Sequence, residues 1–476
     1  MQKLVRSIRL HKGDLIVGFL KATTYVGLFL IFYLFMSIHN WPLLHPSRTL
    51  ATTVLTWVAM TAAMHGVYGG YAIGRKKSKP IISNMSLGSF CVDLVTYLQL
   101  QIMNVNENNR SYLDLFGQDF KWLCLAYVIQ CVFLVALVRL GNHWFFQIYA
   151  PKNCLLILGN MSERAALVDK LNHYRLQWRV KNAVLWDDPA IEKKIEASEV
   201  VFIAGVPEGT SMHLLKICYD LRRDVLCKAS LQDIMIASAE QVVVDDAPFL
   251  EMDYHKMTLW QRIVKRSMDI GISLCMLIVL MPIMLISALL IYLEDRGPVI
   301  FSQERMTVRG RKFVIRKFRT MKVEASRMDH QVSAEENDAR ITRVGRVLRR
   351  FRIDEFPQLY NILIGDMTLV GPRPEMLENV EKYKNQLPTF VYREKVKAGL
   401  TGYAQIEGKY NTTPEDKLML DLMYIENFSI QNDIKLLFRT VLVMFRKDST
   451  QGFAHEDVPE TGRNRMGRKH KTKRKQ

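Results

Sequence analysis

Arg349-Arg350-Phe351-Arg352-Ile353-Asp354-Glu355-Phe356-Pro357-Gln358-Leu359 runs on through Asn361 and Gly365-Asp366 to Gly371-Pro372-Arg373-Pro374. Two adjacent carboxylates follow a basic cluster and open what reads as a short amphipathic helix. Phe356, Leu359, Tyr360 and Leu363 share the spacing of one helical face, and Gly365 is the expected stop. Asp354 stands at the expected N-cap, and Pro357 is tolerated because it falls in the first turn. A carboxylate there gains about 0.3–1 kcal/mol from the helix dipole. With arginines beside it, the pattern predicts an ionised Asp354 available as a nucleophile. Taken alone, an Asp-Glu pair is more often a cap plus a surface ion pair, here with Arg349 or Arg352.

The surrounding chain has 476 residues, which predicts about three domains. Half of it is hydrophobic and a quarter charged, so the mean hydropathy is near zero. That average hides long apolar runs in the first third and dense charge in the last. The net charge of +18 fits nucleic acid, an anionic membrane surface or phosphorylated substrates. Apolar spans flanked by basic residues favour membrane and phosphates over nucleic acid. The seven cysteines are scattered without a Cys-x-x-Cys pair, so neither a disulfide frame nor a zinc site is indicated.

Four apolar runs predict four transmembrane helices within residues 1–150: Leu15 to Ile38, Leu50 to Ile73, Leu87 to Val105, and Trp122 to Arg139 with an extension toward Tyr149. The basic N-terminus precedes a run without a small-residue cleavage site, which reads as a retained anchor. Asp93, Gln99 and Gln101 interrupt the third run, which predicts that it faces other helices rather than lipid. The N-terminus and Arg75-Lys76-Lys77-Lys79 belong on the cytoplasmic side, and four spans return the chain there.

Between residues 151 and 250 the texture alternates strand and helix. Strands are expected at Cys154–Leu158, Ala183–Trp186 and Val200–Ala204, and helices at Ser162–Tyr174 and Thr210–Arg222. The order implies parallel βαβ units, a Rossmann-like domain. Its first turn, Gly159-Asn160-Met161-Ser162-Glu163-Arg164, keeps only the first glycine of the dinucleotide fingerprint. Scaffolding or oligomerisation is favoured there over ligand sensing.

Met268 to Leu293 is long enough to span, yet Pro282 sits at its centre. Lys256, Arg262, Lys265 and Arg266 precede it, and Arg296, Arg305, Arg309, Arg311 and Lys312 follow. A spanning helix would put one cluster outside, against the positive-inside tendency. A re-entrant helix 268–293, broken at Pro282, keeps both inside, provided local partners satisfy the freed backbone. A kinked spanning helix is the alternative.

Arg-x-x-Asp-Glu-x-Pro-Gln-Leu-x-Asn followed by Gly-Asp-Met-x-Leu-Val-Gly-Pro-Arg-Pro resembles the signature of the bacterial sugar transferase family, the monotopic polyprenyl-phosphate sugar-1-phosphate transferases. Arg316-Lys317-Phe318-Arg319-Thr320-Met321 resembles the family's Lys-Phe-Arg-Ser/Thr-Met motif. Lys397-Ala398-Gly399-Leu400-Thr401-Gly402-Tyr403-Ala404-Gln405 matches its glycine turn, with Ala398 in place of the usual proline. That departure bears on loop rigidity rather than chemistry. Asp421-x-x-Tyr424-x-Glu426-Asn427-x-Ser429-x-x-x-Asp433 resembles its C-terminal pattern.

The resemblance implies a mostly α catalytic domain at 256–447 containing the re-entrant helix. It implies a UDP-sugar and undecaprenyl phosphate as substrates and the cytoplasmic face of the bacterial inner membrane as the place. The product starts a capsule, O-antigen or exopolysaccharide. Asp354 would attack the sugar-bearing phosphate and release UMP, and Glu355 would hold Mg²⁺, an ion that keeps waters and prefers phosphate oxygens. Lys317, Arg319 and Arg373 are the expected phosphate ligands, followed by Arg349, Arg352 and Lys409. The basic tail 448–476 is expected to be disordered on anionic lipid, not on nucleic acid. A homo-oligomer is compatible with this reading. Galactose, glucose and an acetamido sugar are equally so. A non-catalytic membrane-anchored nucleotide sensor or scaffold in polysaccharide export is the alternative, and it leaves the motif run from Lys317 to Arg373 unexplained.

Overall fold

The computed structural model describes residues 2–70, 73–74, 78–107, 113–252, 257–323, 340–408 and 412–444. Lys409, Arg75-Lys76-Lys77, Lys256 and the basic tail lie outside them.

Four helices come first: α1 (Gln2–Ser37), α2 (Arg48–Tyr68), α3 (Ser78–Glu107) and α4 (Gln118–Ile148). Each takes up one expected apolar run and is long and apolar enough to cross a membrane. Phe32, Met36, Trp57, Tyr97 and Leu134 build their common core. Ser47 caps α2 by accepting from Leu50 N at 3.0 Å. The helix stops at Tyr68, before the expected Ile73, because Gly69 turns to a positive φ of 67°. The polar interruptions of α3 do face the bundle. Asp93 and Gln101 are each 2% exposed, and Gln101 donates to Asp119. Burying polar groups between helices spares them contact with lipid.

The chain then builds a parallel four-stranded sheet from β1 (Lys152–Leu158), β2 (Trp178–Leu185), β3 (Val200–Ala204) and β4 (Asp224–Cys227), in the order β2-β1-β3-β4. Helices α5 (Arg164–Asn172), α6 (Ile191–Glu196) and α7 (Glu208–Asp220) make the crossovers. Leu155, Ile157, Val201 and Ile203 pack on one face of the sheet, and Leu156 and Leu158 on the other. That two-sided burial explains why the strands read as continuous apolar runs. β4 escaped the sequence reading because it is short and largely exposed. Helix α8 (Leu231–Ala237), with a Ser230–Asp233 capping box, sends Ile234 into the core of the C-terminal part. An antiparallel hairpin of β5 (Glu240–Val244) and β6 (Ala247–Glu251) follows, also unforeseen.

Helix α9 (Leu259–Asp295) stays helical across Pro282, so the expected break is not an unwound segment. A proline removes one hydrogen bond, which a helix packed on neighbours can absorb. One side of α9 lies on the C-terminal part along both halves. Ile272, Met276, Leu277 and Leu280 pack before the proline, and Met284, Ala288 and Ile291 after it. The other side, including Leu274, Ile278, Leu285 and Leu289, is exposed.

The C-terminal part is a helical body with two small sheets. β7 (Ile300–Met306) and β8 (Lys312–Phe318) form an antiparallel hairpin. Helix α10 (Arg343–Arg350), a 3-10 turn at Ile353–Glu355 and α11 (Gln358–Ile364) carry the signature. β9 (Thr368–Val370) pairs in parallel with β10 (Gly399–Thr401). Helices α12 (Leu377–Gln386), α13 (Tyr403–Glu407), α14 (Pro414–Glu426) and α15 (Ile430–Met444) complete it. Phe438 of α15 packs into the N-terminal bundle, with its ring 6.2 Å from that of Tyr68.

Candidate active site

The site forms where β8, the 3-10 turn and the loop after β9 meet. Phe313 and Ile315 of β8 point into the core, and the period-2 geometry of a strand puts Lys317 on their side. Phe318 falls on the opposite side, in a separate cluster with Ile291 and Leu348. Asn361, fully buried on α11, fixes β8 at the right height. Its Oδ1 accepts from Arg316 N at 3.1 Å, and its Nδ2 donates to Val314 O at 2.7 Å.

The carboxylate pair does not cap a helix. Asp354 and Glu355 lie in the 3-10 turn, and α11 starts only at Gln358, behind Pro357. Gln358, Leu359, Asn361 and Ile362 are its buried positions, whereas Tyr360 is exposed beneath the Arg316 guanidinium at 5.0 Å. The expected stop at Gly365 is there, with a φ of 92°. Arg352 takes a left-handed φ of 54°, a conformation that costs a non-glycine residue about 1 kcal/mol or more. It turns the chain so that both carboxylates face β8.

Glu355 accepts from Arg373 Nη2 at 2.8 Å and from Lys317 Nζ at 3.3 Å, and Arg352 Nη1 stands 3.9 Å from its other oxygen. Burial alone would raise its pKa, but Arg373 and Lys317 outweigh that and hold it well below the usual range. Asp354 has no ion pair or hydrogen bond of its own among the described residues. Burial and the neighbouring Glu355 push it up to about 6, against the pull of Lys317, Arg349 and Arg352. The sequence predicted a carboxyl favoured in its charged form. Desolvation and a like charge reverse the direction, although Asp354 is still mostly ionised at neutral pH.

Arg373 is positioned by close backbone packing. Gly371 N donates to Thr401 O, and Gly399 N donates to Pro372 O, both at 2.8 Å. A Cβ on Gly399 would meet Gly371 N at 2.1 Å, so the two glycine-bearing motifs exist for each other. Ala398, where the family has proline, uses the N–H that proline lacks to donate to Thr307 Oγ1 at 3.0 Å. Behind this loop, Arg393 donates to Arg373 O at 2.9 Å and pairs with Asp421 at 2.7 Å. Tyr424 OH lies 2.9 Å from Val370 O and 2.8 Å from Asp433 Oδ1. Asp421, Tyr424 and Asp433 of the C-terminal motif are therefore struts that brace this loop from behind.

Of the expected phosphate ligands, Lys317 and Arg373 meet at Glu355, with Arg349 and Arg352 flanking Asp354. Arg349 also donates to Thr320 Oγ1 at 2.8 Å. Arg319 turns away. It is buried and paired with Asp295 at the end of α9, where it ties that helix to β8. Arg305 of β7 was missed as a site residue. It lies close enough to Arg373 and Glu355 to feel both charges, and burial and Arg373 bring its pKa down to about 10. Its Nε has no hydrogen-bond partner. A basic residue within an alternating strand was the available signal, but it had been counted as a membrane flank. Both ends of α9 are tied to this body. Arg266 donates to Ile362 O and Leu363 O at 2.7 Å each, satisfying the last turn of α11. Asp269 accepts from Leu369 N at 3.0 Å, and Glu294 accepts from Arg343 N at 2.8 Å.

The family model described as bacterial sugar transferase matches residues 260–447, the stretch that holds every contact above. The UDP-N-acetylgalactosamine-undecaprenyl-phosphate N-acetylgalactosaminephosphotransferase of Aeromonas hydrophila is 41% identical over 181 residues, 37% of this chain and 43% of that protein. The undecaprenyl-phosphate glucose phosphotransferase of Komagataeibacter xylinus is 31% identical over 307 residues, 60% of this chain and 58% of that protein. The match thus spans about half the length of these two relatives. The exopolysaccharide production protein PSS of Rhizobium leguminosarum bv. phaseoli is 38% identical over 188 residues, 38% of this chain but 94% of that protein. A match that takes in nearly a whole relative, over the stretch where β8, the carboxylate turn and the Arg373 loop converge, means that this chain belongs to the bacterial sugar transferase family.

Proposed function

We propose that the protein transfers a sugar-1-phosphate from a UDP-sugar to undecaprenyl phosphate, the first step in assembling a surface or exported polysaccharide. The observation that carries this reading is the asymmetry of the carboxylate pair. Glu355 is pinned by Arg373 and Lys317, whereas Asp354 is uncommitted beside them. An Asp354 oxygen attacks the sugar-bearing phosphorus, and the bond from that phosphorus to the UMP oxygen breaks. UMP leaves, and a phosphosugar–aspartyl intermediate, an acyl phosphate, remains. An oxygen of the polyprenyl phosphate then attacks the same phosphorus and returns Asp354 as a carboxylate. Lys317, Arg373 and Arg305 stabilise the charge on the transferred group.

Mg²⁺ would have to share Glu355 with Arg373 and Lys317. Among the described residues no group of three or more metal-ligating side chains is present, and Mg²⁺ characteristically takes one or two carboxylates and completes its shell with phosphate oxygens and water. Glu355 would hold it, and the ion would neutralise diphosphate charge.

Two features support a re-entrant membrane helix. Both ends of α9 are pinned to one body, whereas a straight helix of 37 residues would be about 55 Å long. Its outer side is apolar on both sides of Pro282. We read α9 as a re-entrant helix that bends at Pro282 and sets the site at headgroup depth in the inner membrane. The parallel sheet is read as a Rossmann-like scaffold. A Cβ on Gly159 would lie 1.7 Å from Gly205 O, so that turn is filled by backbone rather than shaped for a pyrophosphate.

The test is to supply labelled sugar nucleotide without lipid acceptor. Label is expected on the wild-type chain and not on Asp354→Asn; label retained by the variant removes Asp354 as the nucleophile.

A further inference from the structure

The edge strand β2 carries a groove that sugar-phosphate transfer does not use. It holds about 400 Å³, is open to solvent, and is lined by Arg164, Arg175, Leu176, Trp178, Arg179 and Lys181. None of its four cations pairs with a carboxylate among the described residues. Other cations of the same domain do pair, as Lys152 with Asp224 and Lys194 with Asp188.

Chain connectivity places one end of this groove. Lys152 N donates to Gln177 O at 2.9 Å, and Lys152 is the register partner of Trp178. Lys152 follows Ile148, the last residue of α4, by four positions, no more than about 14 Å of chain. The end of α4 bears Trp144, Phe145, Phe146 and Tyr149, the aromatic belt expected at a membrane–water interface. Arg175, Leu176, Trp178 and Arg179 therefore open at that interface, and Lys181 and Arg164 continue the groove away from it. Charges on an edge strand also discourage pairing with other chains. That role accounts for Arg179 and Lys181, but not for an exposed Leu176 and a tryptophan in a concave cationic site.

We propose that this groove seats anionic phospholipid headgroups and holds the parallel sheet against the leaflet into which α4 runs. Guanidinium forks match phosphate oxygens in bidentate geometry, while Leu176 and Trp178 have the amphipathic character of interfacial anchors. The proposal rests on α4 crossing the membrane, and it is independent of the transfer chemistry.

The full-length chain is reconstituted in nanodiscs of phosphatidylcholine alone or mixed with phosphatidylglycerol, and amide exchange is followed over 174–182. Phosphatidylglycerol is expected to slow exchange there by about fivefold or more. Arg175→Gln with Arg179→Gln should abolish the slowing while exchange in β1 and β3 stays as in wild type. Equal exchange in the two nanodiscs overturns the proposal. So does a slowing produced equally by inorganic phosphate in phosphatidylcholine, which would assign the groove to a soluble anion. UMP release in the same nanodiscs tests the transfer reading separately.

Discussion

Asp354 and Glu355 are neighbours in sequence with opposite electrostatic fates, and the cause is what each carboxylate touches. Glu355 meets two cations at hydrogen-bonding distance, whereas Asp354 meets only the more distant fields of Lys317, Arg349 and Arg352. Because its pKa is raised to about 6, Asp354 becomes protonated below that value, which would disable the nucleophile proposed above. Formation of the aspartyl phosphate intermediate should fall about tenfold per pH unit below 6 in a rapid-quench assay. A rate that is flat down to pH 5 contradicts the assignment. The same shift has a cost in stability. Between the ordinary value of 3.8 and about 6, the native state binds a proton that the unfolded chain has released, so stability declines as pH rises through that window. Asp354→Asn should therefore be about 1–3 kcal/mol more stable than wild type at pH 7, with the gain vanishing near pH 4. Thermal denaturation in detergent at the two pH values checks this.

At the scale of elements, the loop carrying Arg373 is held by parts of the chain distant in sequence. β10 locks its backbone, and α14 and α15 brace it through Asp421, Tyr424 and Asp433. Tyr424→Phe removes the one hydroxyl proton available to Val370 O and Asp433, leaving Lys265 as their shared donor, which costs about 1–3 kcal/mol. It should also lower turnover, because Arg373 loses its fixed position relative to Glu355. A denaturation midpoint equal to that of wild type, with unchanged UMP release, means that the hydroxyl is no strut. The hairpin of β7 and β8 shows why some elements were not legible. Its alternation is carried by Arg, Lys and Gln as well as by Phe and Ile, and the cations face a site instead of solvent. Local hydropathy reads such a strand as a solvated edge.

At the scale of the whole molecule, α9 is long and apolar enough to cross a membrane, yet both of its ends are tied to the catalytic body. Arg266 and Asp269 bind one end, and Glu294 and Asp295 bind the other. In a cysteine-free background, Ser267→Cys and Pro298→Cys should both react with an impermeant thiol reagent only after the membrane is opened from the cytoplasmic side. Labelling of one of them from outside means that α9 spans. The basic flanks that suggested this topology have a second use. Lys265, Arg266, Arg305 and Arg311 are all engaged within the folded body, so these members of the clusters serve its packing.

The order of parts was readable along the chain. Four apolar runs, the alternation of strand and helix, and the spacing of Lys317, Asp354-Glu355 and Arg373 are local patterns, and local patterns reflect local burial. The tertiary structure alone decided which cation meets which carboxylate. Arg319, two residues from Lys317, is drawn to Asp295, and Arg305 arrives from the neighbouring strand. Asp354 and Glu355 are shifted in opposite directions although they are adjacent carboxylates in the sequence. Ion pairing and desolvation depend on distances of a few ångströms between residues tens of positions apart. Only the packed fold sets those distances.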